Sequence, residues 1–296
     1  MATEYINPRY VDLDSWSSAE MIEAMYEEQL AAAAAVRGAL EAIGAAVDDA
    51  VPALQRGGRL VYAGAGTSGR IGVQDGTELP PTFDWPPDRL VFAMAGGLGA
   101  LLQSVEGAED DEAEGARAVA DNRIGADDVV IGIAASGTTP FTIGVLRAAS
   151  AAGAVTIALA NNPDAPLLLV ARHRIMVETG SEVIAGSTRM KAGTAQKIVL
   201  NLLSTSIMVK LGRVYRGLMV HMRPSNAKLR RRAEGMVSQI LGCAEADAAR
   251  LLERSAGDVK LAVLLGLGLG EAEAAALLGR HGGNLRPAIA EVRAGR

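Results

Sequence analysis

Three short stretches rich in glycine, serine and threonine contain the residues whose types and spacing could do chemistry. The first stretch, GAGTSG at 64–69, follows the apolar run LVYA and matches the spacing G-x-G-x-x-G. This spacing is typical of a strand-to-helix turn that holds the pyrophosphate of a dinucleotide, and a single match is a weak signal. A dinucleotide site also needs an acidic residue at the end of the next strand, where this chain has MAGG at 94–97. The missing acid disfavours a nicotinamide site.

The hydroxyl groups of Thr67 and Ser68 favour a different ligand, the terminal phosphate of a sugar. The three acceptor oxygens of a phosphate monoester are satisfied by backbone N–H groups at the start of a helix together with hydroxyl donors. A second stretch, SGTTP at 136–140, and a third, GSTRMK at 186–191, repeat the combination of small and hydroxyl residues. Each stretch alone is as typical of an ordinary capped helix as of a phosphate site. The three together indicate a phosphosugar site.

Apolar runs that alternate with helical patterns must position these stretches. The carboxyl ends of parallel strands lie at one edge of a sheet, so the first two stretches are expected to converge on a crevice there. The runs predict five strands of a parallel sheet covered by helices on both faces, at 59–64, 89–96, 128–136, 155–161 and 173–179.

Helical patterns are expected before, between and after these strands. The segment 17–56 begins with a capping-box pattern, a helix is expected over 98–122, and a long helix is expected over about 190–211. From about residue 225 the pattern is helical only and fits three or four short helices. We therefore expect three parts: a helical segment at 1–56, an α/β phosphosugar-binding domain at 57–225 and a helical C-terminal module at 226–296.

Composition limits the classes of function. The 296 residues are 49% hydrophobic with only 3% aromatic, which is enough for a sizeable core built from small side chains. A net charge of −5 argues against a general nucleic-acid surface, and the basic cluster at 228–232 is interpreted as a solvated helix face. Cys243 is the only cysteine, which excludes a disulfide within the chain and fits a reducing compartment.

The sequence also lacks the usual signals for export, membrane insertion and metal binding. The first residues show no basic segment followed by an apolar one, and apolar stretches such as 261–270 are too short and glycine-rich to span a bilayer. Three histidines occur without a metal-ligand motif. We therefore expect a soluble cytoplasmic protein without a metal and without a membrane partner.

Several longer stretches resemble a known family. The chain is similar to sugar isomerase (SIS) domains and, more specifically, to the N-acetylmuramic acid 6-phosphate etherase family over nearly its whole length. The resemblance implies an α/β SIS-type three-layer sandwich with a small, ubiquitin-associated-like helical tail. It also implies a homodimer with active sites near the subunit interface, and no metal or organic cofactor. The matching stretches are GAGTSGRIGVQDGTELPPTF (64–83), SVEGAED (104–110), VVIGIAASGTTP (129–140), GSEVIAGSTRMKAGTAQK (180–197), GLMVHMRPSNAKL (217–229) and HGGNLRPAI (281–289).

The family reaction cleaves the D-lactyl ether of its phosphorylated amino sugar by elimination and hydration, in the recycling of cell-wall peptidoglycan. Elimination needs a base for the C2 proton and an acid for the departing ether oxygen, and two carboxyl groups would serve. The resemblance implies that Glu78 is the proton donor and Glu109 the second catalytic carboxylate. Taken alone, Glu78 is placed between a short helix and a Pro80-Pro81 turn, where Leu79 and the prolines would desolvate it, and Glu109 belongs to a solvated acidic face.

The resemblance also identifies expected substrate ligands. Lys191, Arg70 and Arg189 could each supply charge to the phosphate or to the lactyl carboxylate, or be surface cations. The chain departs from the family pattern at Thr77, Leu79, Thr138, His221 and the segment 25–29, which affects substrate preference more than reaction type. The expected phosphate ligands are Thr67, Ser68, Gly69, Ser136, Gly137 and Thr139, with Ser187, Thr188 and Lys191 as further candidates.

Two alternatives to an etherase remain open from the sequence. A phosphosugar aldose–ketose isomerase would share the loops and the C2 base but need no acid for an ether. A non-catalytic regulator of the same fold, similar to the vertebrate glucokinase regulator, would bind phosphosugar and a partner protein. The presence of both Glu78 and Glu109 favours catalysis, because a sensor needs neither.

Overall fold

The computed structural model describes residues 1–103, 105–222, 224 and 226–295. Ser104, Arg223 and Ser225, which belong to the matched stretches 104–110 and 217–229, lie outside the described residues, as does Arg296. The chain divides into two compact units. The first comprises Met1–Thr77 and Pro87–Ser204, and the second comprises Glu78–Pro86 and Thr205–Arg296. The domain boundaries expected from the sequence remain a proposal.

The first unit is built on a five-stranded parallel sheet, as predicted. Its strands are β1 (Leu60–Gly64), β2 (Leu90–Met94), β3 (Val129–Ile133), β4 (Val155–Ala160) and β5 (His173–Met176). All pairs are parallel, and the order across the sheet is β2-β1-β3-β4-β5. Strands β1, β3 and β4 are buried along their whole length, which explains their largely apolar sequences. The strand order reverses between β1 and β3, so their carboxyl ends open into a crevice where such sheets bind ligands.

Helices cover the sheet. Ser17 and Glu20 form the expected capping box at the start of the first helix. The core combines the inner strands with α5: Val130 of β3 belongs to the same buried cluster as Val145 and Leu146 of α5. Helices α3 and α7 contribute residues to both units. The helices are α1 (Ser18–Ala35), α2 (Leu40–Gln55), α3 (Gly66–Phe83), α4 (Glu112–Asp121), α5 (Pro140–Ala151), α6 (Pro166–Leu169) and α7 (Lys191–Lys210).

Two sequence predictions about helices were wrong. The expected helix over 98–122 is instead two short 3-10 turns, Leu98–Leu101 and Ala108–Asp110, followed by α4. Gly107 takes a left-handed φ of 72°, which interrupts a helix, and Asp111 then caps α4 by accepting the backbone N–H of Glu114. The two prolines after Glu78 form no separate turn, because both lie in the last turn of α3, and the chain leaves the helix at Asp84 with φ 49°.

Within the described residues, the second unit contains five helices after residue 225, where three or four were expected. Gly242, with φ 68°, ends α8 in the left-handed conformation that commonly closes helices. The basic cluster at 228–232 lies on the exposed side of α8, while Leu229 packs on an apolar core of α8 to α12. These helices are α8 (Ala227–Leu241), α9 (Glu245–Arg254), α10 (Val259–Gly266), α11 (Glu271–Arg280) and α12 (Leu285–Ala294).

One helical stretch of the described residues has the length and composition of a membrane-spanning helix, which was not expected from the sequence. Residues Ser18–Gln55, which contain α1 and α2, are long and apolar enough by length and composition. The helices α10 and α11 meet this description only as a pair bent by 118°. A core helix of a soluble protein passes the same test, so the stretch alone does not indicate a membrane protein.

Candidate active site

The first hydroxyl-rich stretch forms the turn from β1 into α3. Helix α3 begins at Gly66, so Thr67 and Ser68 occupy its first turn, where backbone N–H groups have no acceptor within the helix. Two glycines permit this tight entry, because a Cβ on Gly64 would lie 2.9 Å from the Gly69 nitrogen. Ser68 is buried and Thr67 half-buried. The turn therefore presents N–H groups and two hydroxyls at the carboxyl end of the sheet.

The second stretch repeats this arrangement after β3. The hydroxyl of Ser136 accepts hydrogen bonds from the Thr138 backbone N–H at 3.2 Å and from the Thr138 hydroxyl at 3.1 Å. Gly137 has a φ of 69°, and a Cβ there would lie 2.2 Å from the Cβ of Ala165, so only glycine fits. Thr139 is the N-cap of α5, and Pro140 occupies the first helical turn, a position that suits the fixed φ of proline.

The two turns line one cavity of about 440 Å³, called the hydroxyl cavity below. It lies at the carboxyl ends of β1 and β3, where the strand order reverses. The N-termini of α3 and α5 both border this cavity, and helix N-termini attract anions through their free N–H groups and dipoles. The residues predicted from the sequence that line it are Thr67, Ser68, Glu109, Ser136, Thr139 and Thr188.

Other predicted ligands lie outside this lining. Gly69 and Gly137 are buried and shape the turns through their small size. Ser187 is half-buried, and its backbone N–H donates to the carbonyl of Ile184 at 2.9 Å. Only Thr188 of the third stretch reaches the cavity.

Lys191 is buried at the start of α7. Its ammonium donates to the carboxylate of Glu28 and, at 3.0 Å, to the carbonyl of Ser181. Glu182, fully buried, accepts the backbone N–H groups of Lys191 at 2.9 Å and Ala192 at 3.0 Å. Burial raises the pKa of Glu182 although these two N–H groups stabilise its carboxylate. The lysine therefore fixes the chain before α7, and its charge is already paired.

Glu28 links this pair to the N-terminal segment. Its second carboxylate oxygen accepts the hydroxyl of Tyr10 at 2.8 Å. Burial opposes ionisation of Glu28, but the hydrogen bonds from Lys191 and Tyr10 outweigh it and hold the pKa of this carboxyl below its usual value. Burial and the bond to Glu28 raise the pKa of Tyr10 to about 12. No sequence motif indicated this network, because Lys191 and Glu28 lie 163 residues apart.

A second cavity, of about 350 Å³, adjoins the hydroxyl cavity and is called the Arg70 cavity below. The two cavities share Ala65, Gly66 and Glu109 in their linings. Glu109 lies on the 3-10 turn Ala108–Asp110, with its side chain exposed. The sequence predicted a helix here. The turn places Glu109 on the lining of both cavities.

Glu78 lies on α3 in the second unit, and its side chain is exposed. The expectation that Leu79 and the prolines would shield it is wrong in the single chain. Leu79 is buried, whereas the side chain of Glu78 leaves the helix toward solvent.

Two further acids line the hydroxyl cavity that sequence reasoning missed. Asp110 belongs to the acidic run around Glu109, which was interpreted as a solvated face. No motif in the sequence indicated that Glu4 would line a cavity. Glu4 reaches the cavity because the buried Thr3 exchanges hydrogen bonds with Asn162, at 3.3 Å from its N–H and 3.1 Å to its hydroxyl. Within the described residues, no cluster of three or more histidine, cysteine or acidic side chains could hold a metal ion.

A parallel sheet with this strand order, in which hydroxyl-bearing turns after β1 and β3 meet in one cavity, is the arrangement of the SIS class of α/β folds. The family described as "SIS domain" matches residues 109–206, and "Glucokinase regulatory protein N-terminal SIS domain" matches residues 42–150. A solved structure of a phosphoheptose isomerase from Francisella tularensis has the same fold. It covers 66% of this chain and 100% of its own, with a TM-score of 0.53 and 20% identity.

Relatives with higher identity define the family. The N-acetylmuramic acid 6-phosphate etherase of Deinococcus radiodurans is 54% identical over 264 residues, covering 89% of this chain and 86% of its own. The enzyme of the same name from Rhizobium rhizogenes is 45% identical over 265 residues, covering 90% and 86%. This chain belongs to the N-acetylmuramic acid 6-phosphate etherase family, which confirms the resemblance drawn from the sequence.

Proposed function

We propose that this chain cleaves the D-lactyl ether of N-acetylmuramic acid 6-phosphate, giving N-acetylglucosamine 6-phosphate and D-lactate in cell-wall amino sugar recycling. The observation that carries the proposal is the hydroxyl cavity, where two helix N-termini and their hydroxyls meet the carboxylate of Glu109. An anion-binding cavity beside a carboxylate suits a sugar that is held by its phosphate while a proton is removed. The etherase relatives support the same substrate.

The reaction is an elimination followed by hydration. Opening of the sugar ring exposes an aldehyde at C1, which makes the C2 proton acidic. A base removes that proton, the electron pair forms the C2–C3 double bond, and the C3–O bond breaks. The departing oxygen takes a proton and leaves as the hydroxyl of D-lactate. Water then adds its hydroxyl to C3 and a proton to C2, which completes N-acetylglucosamine 6-phosphate.

Two carboxyl groups carry the proton transfers. Glu109 removes the C2 proton, because a carboxylate on the lining of the hydroxyl cavity suits a sugar bound there by its phosphate. Glu78 donates the proton to the lactyl oxygen, because an alkoxide leaves poorly without an acid. This assignment rests on the matching motifs and on the chemistry that each step needs.

The phosphate is held by the hydroxyl-rich turns. Backbone N–H groups at the first turns of α3 and α5 supply donors, and the closely packed Gly69 and Gly137 allow the phosphate to approach. Ser187 and Lys191 do not line the cavity and act by holding the third stretch in place. Lys191 does so through its pairing with Glu28. The proposed ligands with hydroxyl groups on the cavity are Thr67, Ser68, Ser136, Thr139 and Thr188.

We further propose a cytoplasmic homodimer with active sites near the subunit interface, without nucleic-acid or membrane partners. Ile22, Tyr26 and Leu30 recur at helical spacing on α1 and are 67%, 63% and 53% exposed. Ile6 and Val11 of the N-terminal segment are also exposed, at 66% and 61%, and exposed apolar side chains of this kind are typical of a subunit contact. Light scattering should give twice the chain mass, and Ile22→Asp should shift it toward the monomer, whereas Glu23→Lys on the same helix should not.

Lactate release tests the function. The unsubstituted protein should release D-lactate from N-acetylmuramic acid 6-phosphate, and Glu41→Gln, an exposed change on α2, should leave the rate unchanged. Glu78→Gln should stop release yet still exchange the C2 proton with solvent deuterium, while Glu109→Gln should lose both. Exchange lost only in Glu78→Gln would reverse the two roles. Phosphosugar binding without lactate release would instead indicate a regulator, which the match to the glucokinase regulatory domain makes the second candidate.

A further inference from the structure

The Arg70 cavity contains a cation that the proposed chemistry has not used. We propose that Arg70 binds the carboxylate of the substrate's lactyl group, so that this cavity is the subsite for the leaving group. The proposal rests on the proposed function. It assigns a task to the space that adjoins the hydroxyl cavity at Glu109.

Arg70 is held in place by the backbone around the cavity. It lies one turn into α3, its Nε donates to the carbonyl of Leu101 at 3.2 Å, and its Nη2 donates to the carbonyl of Ala100 at 2.9 Å. These bonds use two of the five N–H donors of a guanidinium. Among the described residues, Arg70 forms no ion pair with a carboxylate. A half-buried guanidinium, oriented by carbonyls and with donors to spare, suits bidentate binding of a carboxylate.

The position of the cavity fits the geometry of the substrate. The hydroxyl cavity and the Arg70 cavity share Glu109, Ala65 and Gly66. A sugar held by its phosphate in the hydroxyl cavity, with C2 at Glu109, has the neighbouring C3 substituent at the entrance to the Arg70 cavity. The phosphate and the lactyl group would then occupy different cavities on either side of the base.

The charges on the lining make a cation necessary. The carboxylates of Glu106 and Glu109 both line the Arg70 cavity and would repel a lactyl carboxylate. Arg70 is the cation on this lining among the described residues. The other candidate cations are elsewhere: Lys191 is paired with Glu28, and Arg189 lines neither cavity. Arg70 therefore also selects for a carboxylate on the leaving group.

Product inhibition separates this role from a structural one. In Arg70→Met, the inhibition constant for D-lactate and the KM for substrate should rise roughly 10- to 100-fold, the range for a hydrogen-bonded charged group. The inhibition constant for N-acetylglucosamine 6-phosphate, which has no lactyl group, should stay within about twofold. Arg147→Met, which changes an exposed arginine of α5 paired with Glu112, is the matched control and should change none of these three constants.

A neutral substrate gives the second readout. The unsubstituted protein should prefer N-acetylmuramic acid 6-phosphate over its lactyl amide, and Arg70→Met should lose that preference, with Arg70→Lys in between. Equal weakening of both products would mean that Arg70 only holds the turn at Ala100 and Leu101, and would overturn the proposal. Unchanged D-lactate inhibition would also overturn it. If the methionine variant does not fold, Arg70→Lys is used instead. It should weaken inhibition by D-lactate more than inhibition by N-acetylglucosamine 6-phosphate and should reduce the preference for the lactyl carboxylate. Absence of lactate release by the unsubstituted protein overturns the proposed function, and this inference with it.

Discussion

Gly64, the last residue of β1, and Gly69, in the first turn of α3, lie in direct backbone contact. A Cβ on Gly64 would lie 2.9 Å from the nitrogen of Gly69, and a Cβ on Gly69 would lie 2.8 Å from the carbonyl oxygen of Gly64. The carbonyl of Gly64 also accepts the N–H of Ala95 at 3.1 Å, so it cannot retreat without losing a bond to the neighbouring strand end. The pair of glycines is thus what lets the helix begin directly above the sheet and place Thr67 and Ser68 on the cavity.

Gly69→Ala should therefore damage both stability and phosphate binding. The added methyl meets backbone atoms, which cannot rotate away, and overpacking of this kind costs about 1–3 kcal/mol. Gly44→Ala on α2 is the matched control, because a Cβ there meets nothing within 4 Å, and alanine should stabilise that helix by about 0.5–1 kcal/mol. Urea unfolding should show a lower free energy of unfolding for Gly69→Ala and a higher one for Gly44→Ala. A neutral Gly69→Ala would show that the turn relaxes freely.

Ser68→Ala should weaken binding of the phosphate without unfolding the protein. The hydroxyl of Ser68 is buried on the hydroxyl cavity, and a hydrogen bond to a charged group contributes about 1.5–3 kcal/mol. We expect the inhibition constant for N-acetylglucosamine 6-phosphate to rise by about tenfold or more. Ser150→Ala, at an exposed position of α5, should leave it unchanged. Equal constants for the two variants would remove Ser68 from the phosphate ligands.

Local patterns predicted the elements that carry the site. The unbroken apolar runs identified β1 and β3, since a strand buried on both faces needs such residues at every position. Glycine and hydroxyl residues after those strands identified the turns of the hydroxyl cavity, because their conformation depends on residues nearby in sequence. The capping box at Ser17 and the proline at the start of α5 likewise mark helix starts by residue type alone.

Contacts between distant parts of the chain could not be predicted from the sequence. Glu4 lines the hydroxyl cavity only because Thr3 bonds Asn162, 159 residues away, and a single sequence contains no trace of such a pairing. Lys191 looked like a free cation beside hydroxyl residues, yet Glu28 neutralises it from α1. The acidic run around Glu109 has helical composition, and the left-handed Gly107 decides the local conformation instead. At Glu4 and Lys191 the decisive contacts come from distant parts of the chain, whereas at Glu109 a single glycine overrides the helical composition of its neighbours.

The buried pair of Lys191 and Glu28 should contribute far more to stability than a surface pair. Lys191→Met leaves the Glu28 carboxylate without its cation, and breaking a buried pair costs about 3–5 kcal/mol, with the lower end expected because Glu28 keeps 16% side-chain exposure. Arg147→Met, which breaks an exposed pair, should cost less than about 1 kcal/mol. Urea unfolding at neutral pH measures both.

The pH dependence of that pair has a defined sign. Because the folded pKa of Glu28 is lowered, its contribution is present above the ordinary glutamate pKa and is lost as the pH falls through the lower folded value. Unfolding free energies measured from neutral pH down into the acid range should therefore converge between the unsubstituted protein and Lys191→Met. A difference that stays constant on acidification would contradict the ion-pair origin of the effect.

Lys260, on α10 in the second unit, should make stability rise at alkaline pH. Its ammonium is buried and donates to the carbonyls of Gly283 at 2.6 Å and Gly212 at 3.4 Å. Burial lowers the pKa of Lys260 to about 8, only partly offset by Asp258. The unfolded chain, with an ordinary lysine pKa near 10.5, therefore binds more protons between pH 8 and 10.5.

Over that interval the free energy of unfolding should gain on the order of 3 kcal/mol from this group alone, the equivalent of its shift in pKa. Lys260→Met keeps the length of the side chain and removes the titration, so its unfolding free energy should lack this gain. The comparison needs urea unfolding at pH 7, 8, 9 and 10, with Lys228→Met, an exposed change on α8, as the control that retains the gain. Parallel curves for the unsubstituted protein and Lys260→Met would show that Lys260 stays protonated in both states. Its two carbonyl acceptors would then be sufficient to hold the charge inside the helical core.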